Sequence, residues 1–173
     1  MAGIFFSIIL VLGVIFLLLP RTLLLVEEGM DGRERAAIPV GEGSSAEVAY
    51  VHSMYGVRQS EIFSIRRGSV FYLEKVEFGS LAAALYYDPD PQSGVVFQGG
   101  VWIIKGEGKS YPVLKYRVSA RTGHTLKVRG QTIDLSGRPD GWEGLIQLEL
   151  ERRTRLNSLF IALRAGMLNA LGL

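Results

Sequence analysis

From Gly3 to Leu19 every residue is apolar except Ser7, and after Pro20-Arg21 the apolar character resumes through Thr22 and Leu23 to Val26 before Glu27 and Glu28 end it. No other stretch restricts the architecture as much. A bilayer core takes about 20 apolar residues as a helix, and this run supplies them if Arg21 snorkels to an interface. The expectation is a single-pass anchor over residues 1–28. A cleaved signal peptide is the competing reading, but neither a basic n-region nor a small-x-small cleavage site precedes Glu27. Arg21, Arg33 and Arg35 follow the run and no basic residue precedes it, which by the positive-inside rule points to a cytoplasmic C-terminal domain. Glu27, Glu28, Asp31 and Glu34 lie among those arginines and count little toward that rule.

The rest of the 173 residues suffices for one domain plus attachments. Nineteen basic against 17 acidic side chains give a net charge of +2, too mild and too dispersed for nucleic acid. The lack of cysteine excludes disulfides, thiolate chemistry and cysteine-ligated metals. Residues 29–45 are polar, with Gly29, Gly32, Gly41, Gly43 and Pro39, and read as a linker. Within them Ala36–Val40 could form an edge strand, where Pro39 is tolerated.

From Ala46 the hydrophobic period becomes two. Val70, Tyr72, Val76 and Phe78 are expected on one face of a third strand interrupted by Glu74, and a helical turn is expected after Gly79. Short strands then recur as far as Leu145–Leu150 between glycine-rich turns. The expected fold over residues 46–151 is mainly β, an antiparallel sandwich or half-open barrel. Past Glu151 the period turns helical, giving a C-terminal amphipathic helix over residues 152–173. Leu156, Leu159, Phe160, Leu163 and Met167 form its apolar face. Arg164 near its middle disfavours a second span, so that face is expected on lipid, on the chain's own sheet or on a partner protein.

The chemically capable residues gather in the first hairpin, Val48 to Ile65. A two-residue turn at Gly56-Val57 would set His52 opposite Glu61 and Tyr50 opposite Phe63, on one face of the sheet. An imidazole oriented by a carboxylate could handle a proton, an anion or a metal; the alternative is a structural cross-strand pair. Were His124 to fold beside them, His52, Glu61 and His124 would make a two-histidine, one-carboxylate set for a divalent metal. Ser53 points to the other face from His52 and forms no nucleophile pair with it. With no nucleophile elbow, phosphate loop or dinucleotide fingerprint, the expectation is a non-enzymatic protein without cofactor, the divalent metal being the alternative.

Tyr50-x-His52-Ser53, with Glu61 nine residues after the histidine, resembles the domain-of-unknown-function family 1850. The likeness continues through Phe78-Gly-Ser-Leu-Ala-Ala-Ala-Leu85, Trp102-Ile-Ile, Leu114-Lys-Tyr-Arg-Val118 and His124-x-Leu126-x-Val128 to Leu145–Leu150. The chain departs from the family at Ala82-Ala-Ala-Leu-Tyr86, usually a glycine-rich step ending in proline, and at Arg58, usually proline. The resemblance implies a cell-membrane protein whose β domain is extracytoplasmic and stands beside a tripartite transporter of the TAXI type. Its expected partners are the transporter permease or the solute-binding protein, reached through the His52–Glu61 edge or the C-terminal helix.

Overall fold

The computed structural model describes residues 2–29, 32–89, 91, 94–136 and 143–157. Helix α1 (Ala2–Leu18) leads into strand β1 (Pro20–Glu28). Then come β2 (Arg33–Val40), β3 (Ser45–Val51), β4 (Arg58–Arg66), β5 (Val70–Phe78) and α2 (Leu81–Tyr87). The second half holds β6 (Val95–Gln98), β7 (Val101–Lys105), β8 (Ser110–Tyr111), β9 (Val113–Ser119), β10 (Thr125–Val128), β11 (Gln131–Asp134) and β12 (Glu143–Thr154). The chain is mainly β and sandwich-like: one sheet runs β2-β1-β12-β9, the other β11-β10-β3-β4-β5-β7-β6 with β8 beside β5, all paired antiparallel. Leu24, Val26, Val118, Ile146 and Leu148 of the first sheet share one buried cluster with Val48, Phe63, Phe71, Phe78 and Leu126 of the second.

The apolar run at the N-terminus divides differently from the expected anchor over residues 1–28. The helix ends at Leu18, because Pro20 offers no backbone N–H and disfavours the α region at Leu19. Residues 20–28 are instead β1, hydrogen-bonded to β12 on one side and β2 on the other. Leu23, Leu24, Leu25 and Val26 are all buried, so both faces of β1 are covered. A strand covered on both faces shows an unbroken apolar run, which by periodicity alone matches the tail of a membrane helix. Among the described residues no helix is long and apolar enough to cross a membrane. The expected linker is likewise largely strand: β2 lies at the sheet margin with Pro39 opposite Leu23.

In β5 one extra residue changes which side chains face inward. Ile62 pairs with Lys75 and Phe63 with Leu73, leaving Glu74 as a bulge. Phe71 and Leu73 before it, and Val76 and Phe78 after it, are therefore the buried ones. The expected face of Val70, Tyr72, Val76 and Phe78 is thus half right, because the bulge reverses the alternation at its middle. After Gly79, Ser80 caps α2 by accepting the Ala83 N–H at 3.2 Å, and the buried methyls of Ala83 and Ala84 let that helix lie close to β5 and β7. At the other end, β12 extends to Thr154, past the expected start of the C-terminal helix at residue 152. Helical residues begin at Arg155, and Leu156 is half-buried. Leu159, Phe160, Leu163 and Met167 lie outside the described residues.

Candidate functional site

The hairpin between β3 and β4 forms, but its turn is longer than expected. His52 and Val57 close a four-residue loop, Ser53 to Gly56: the His52 N–H donates to the Val57 carbonyl and the Gly56 N–H to the His52 carbonyl, each at 2.8 Å. Gly56 has a φ of +62°, which only glycine adopts without strain. The longer loop moves the register, so Glu61 lies opposite Val48 and Tyr50 opposite Gln59. The displacement from residue 52 to residue 48 is even, so Glu61 keeps the expected face while losing its expected partner.

The His52–Glu61 pair is therefore not formed. His52 sits in the loop, where its Nδ1 accepts the Met54 N–H at 3.3 Å and its ring lies 5.2 Å from Tyr55 and 5.7 Å from Tyr86. Ser53 is exposed in the same loop. The two-histidine, one-carboxylate set is not assembled either. Among the described residues no group of three His, Cys, Asp or Glu side chains lies close enough to hold a metal ion.

Glu61 instead has phenols for neighbours. It follows the inward side of β4 set by Phe63 and Ile65, and so enters the space between the sheets. There the Tyr50 hydroxyl donates to its Oε1 at 2.9 Å, and the Gln59 amide donates to the same oxygen at 3.3 Å. From the facing sheet Tyr116, on the inward side of β9 with Leu114 and Val118, donates its hydroxyl to Oε2 at 2.7 Å. The carboxylate thus ties the two sheets together through charge-assisted hydrogen bonds. Burial, and then the Glu61 charge, push the Tyr50 and Tyr116 hydroxyls well above the usual phenol range, so both stay protonated donors.

His124 completes the cluster from behind Tyr50. Their rings stack at 4.7 Å with 17° between planes, and Tyr116 lies 6.1 Å from the imidazole. The turn before β10 places it: Thr122 and Gly123 N–H groups both reach the Ser119 carbonyl, and the Thr122 hydroxyl lies 2.9 Å from His124 Nδ1. Burial without an acidic partner pushes the imidazole pKa down from 6.5 to about 4.

A pH dependence follows. Above pH 6.5 the imidazole is neutral in both the folded and the unfolded chain, and stability is complete. Between 6.5 and about 4 the unfolded chain takes up a proton that the folded chain refuses, so stability falls with pH, by about 3 kcal/mol over the window. Urea unfolding of the full chain in detergent at pH 7.5 and 4.5 measures it. His124→Phe, which keeps a ring on Tyr50, is expected to flatten the difference, and an unchanged pH slope in that variant would refute the assignment.

A recess of about 330 Å³ opens beside this network, lined by Tyr50, Glu61, Tyr87, Tyr111, Lys115 and Tyr116 with apolar Phe63, Leu73 and Leu114 behind them. Tyr87 comes from the end of α2, 5.4 Å from the Phe78 ring. Its hydroxyl too is pushed upward, first by burial and then by the Glu61 charge. Tyr116, Tyr87 and Tyr111 were not anticipated as site residues: nothing local in the sequence marks a tyrosine that meets Glu61 across the sandwich. Tyr50 was, through its place in the hairpin motif.

No curated protein and no solved structure matches the chain. The family model of the domain of unknown function DUF1850 matches residues 46–135, which take in β3 to β11 and so Tyr50, Glu61, Tyr116 and His124. That match covers more than half of the chain, which therefore belongs to the DUF1850 family.

Proposed function

We propose that this protein is a membrane-anchored, non-enzymatic accessory protein that carries its β-sandwich on the extracytoplasmic face of the cell membrane, beside the permease or solute-binding protein of a tripartite transporter. The observation that supports the anchor is α1. Its side chains from Phe5 to Leu18 are almost all exposed, with Phe5 at 68% and Phe6 at 70%, and among the described residues only Arg155, at Phe16, is seen to lie against them. An uncovered apolar patch of this size in water is unfavourable, and a lipid environment removes the cost. Seventeen helical residues reach about 25 Å at 1.5 Å per residue, some 5 Å short of a typical hydrocarbon core. Local thinning of the bilayer and snorkelling by flanking residues absorb such a mismatch at fractions of a kcal/mol per Å. At the helix foot the Arg155 guanidinium lies 4.1 Å from the Phe16 ring centre, and the Arg155 N–H donates to the Leu19 carbonyl at 3.3 Å. The end of β12 is thereby bound to the base of the anchor. The placing beside a transporter extends what the sequence resemblance implies.

Native-level affinity purification from membranes tests the partner: permease or solute-binding protein is expected in the eluate, and recovery free of both would count decisively against it. The anchor is tested separately. Leu10→Arg with Val14→Arg puts two charges in the middle of α1, each costing about 2.5–3.5 kcal/mol in a bilayer, and is expected to move the chain from the carbonate-washed membrane pellet to the supernatant. Sidedness can be read from Ser53→Cys, since the chain has no cysteine of its own. Labelling of that thiol by an impermeant maleimide in unlysed spheroplasts is expected, and labelling only after lysis would place the domain inside.

A further inference from the structure

We infer that the Glu61 recess is a binding site for a small organic ammonium ion, held by the carboxylate and walled by tyrosine rings. The site stands beyond the anchoring role and does not depend on it. Its hydrogen-bonding character carries the inference. Tyr50 and Tyr116 spend their hydroxyl protons on Glu61, so toward the recess both oxygens retain only lone pairs. Glu61 is itself an acceptor, with two donors on Oε1 and one on Oε2, which leaves part of the Oε2 capacity open. Gln59, buried at 1% exposure and not among the residues that line the recess, gives its amide N–H to the same carboxylate and so occupies part of Oε1. A surface rich in acceptors matches a ligand that only donates, and an ammonium group is such a ligand.

Charge and shape agree. No lysine or arginine among the described residues pairs with Glu61. Lys115 borders the recess, but it alternates with the inward Tyr116 on β9 and is exposed. Among the described residues the carboxylate thus has no cationic partner, and a bound cation would supply one. Tyr50 and Tyr116 rings stand 6.4 Å apart at 57°, and Tyr87 and Tyr111 extend the aromatic lining. Ring faces attract a cation within about 6 Å, and a volume of about 330 Å³ admits a ligand of amino-acid size rather than a metal ion or a polymer. An anion would meet the Glu61 carboxylate and the committed phenols of Tyr50 and Tyr116, which disfavour it.

The test titrates the full chain in detergent with n-butylammonium, n-butanol and butyrate, three probes of one shape and different charge, while following the tyrosine ring resonances. Saturable shifts of Tyr50 and Tyr116 with n-butylammonium alone are expected. Glu61→Gln should weaken that binding at least tenfold, and Tyr87→Leu, which touches none of the Glu61 hydrogen bonds, about threefold. If Glu61→Gln fails to fold, Tyr87→Leu alone decides. Equal binding of n-butanol or butyrate, no saturable shift with n-butylammonium, or variants that bind as well as the parent would each overturn the site. Membrane retention and transporter co-purification are read in different experiments, so a negative titration leaves the anchoring role standing.

Discussion

Glu61→Ala is expected to lower the unfolding free energy by about 3 kcal/mol. The loss is larger than one hydrogen bond because three donors converge on that carboxylate, the hydroxyls of Tyr50 and Tyr116 and the amide of Gln59. Each donor left unpaired in the interior costs about 1–3 kcal/mol, and water entering through the recess offsets part of it. The asymmetry between breaking such a cluster and replacing it provides the sharper measurement. A triple variant, Tyr50→Phe, Glu61→Leu and Tyr116→Phe, removes the charge and both hydroxyls that point at it and leaves only the Gln59 amide without its acceptor, so it is expected to lose about 1–2 kcal/mol, less than Glu61→Ala, since apolar groups of similar shape replace the rest of the cluster at little cost. Urea midpoints in detergent compare the two. A triple variant less stable than Glu61→Ala would mean that the polar cluster contributes net stability rather than serving the recess.

The β character and the hairpin were legible in the sequence because alternation and turn residues are local signals. The face of Glu61 was legible for the same reason: any even change in loop length preserves it. Its partner was not. A single Gly56 is compatible with both a two-residue and a four-residue loop, and the choice shifts every cross-strand pair while leaving the hydrophobic pattern intact. β1 was misread for a physical reason as well, since Leu23–Val26 are buried on both faces and alternation is erased where both faces are apolar. Of the phenols around Glu61 only Tyr50, in the same hairpin, was marked by the sequence. Tyr116 is 55 residues away in sequence, and its contact depends on how two sheets stack, a quantity that no local window encodes.

Gly106→Ala is expected to be strongly destabilising. A Cβ built there would overlap the Leu73 carbonyl oxygen and carbon, and the neighbour is backbone, which cannot rotate away. Gly106 is close for a reason: its N–H donates to the Glu74 carbonyl at 2.9 Å, so the end of β7 is clamped onto the β5 bulge. That bulge sets Leu73 inward and Glu74 outward, and Leu73 lines the recess. To admit the methyl, the chain must pull β7 off the bulge and lose this hydrogen bond, which together with overpacking costs about 4 kcal/mol. In a protein of this size that lowers the unfolding temperature by about 8–16 °C. Gly41→Ala is the control: nothing lies within 4 Å of a Cβ there and its φ is not in the left-handed region, so the change should stay within about 0.5 kcal/mol. Because the bulge orients one wall of the recess, a surviving fraction of Gly106→Ala is also expected to bind n-butylammonium more weakly than Gly41→Ala. Equal unfolding temperatures for the two variants would show that β7 is not clamped against the bulge.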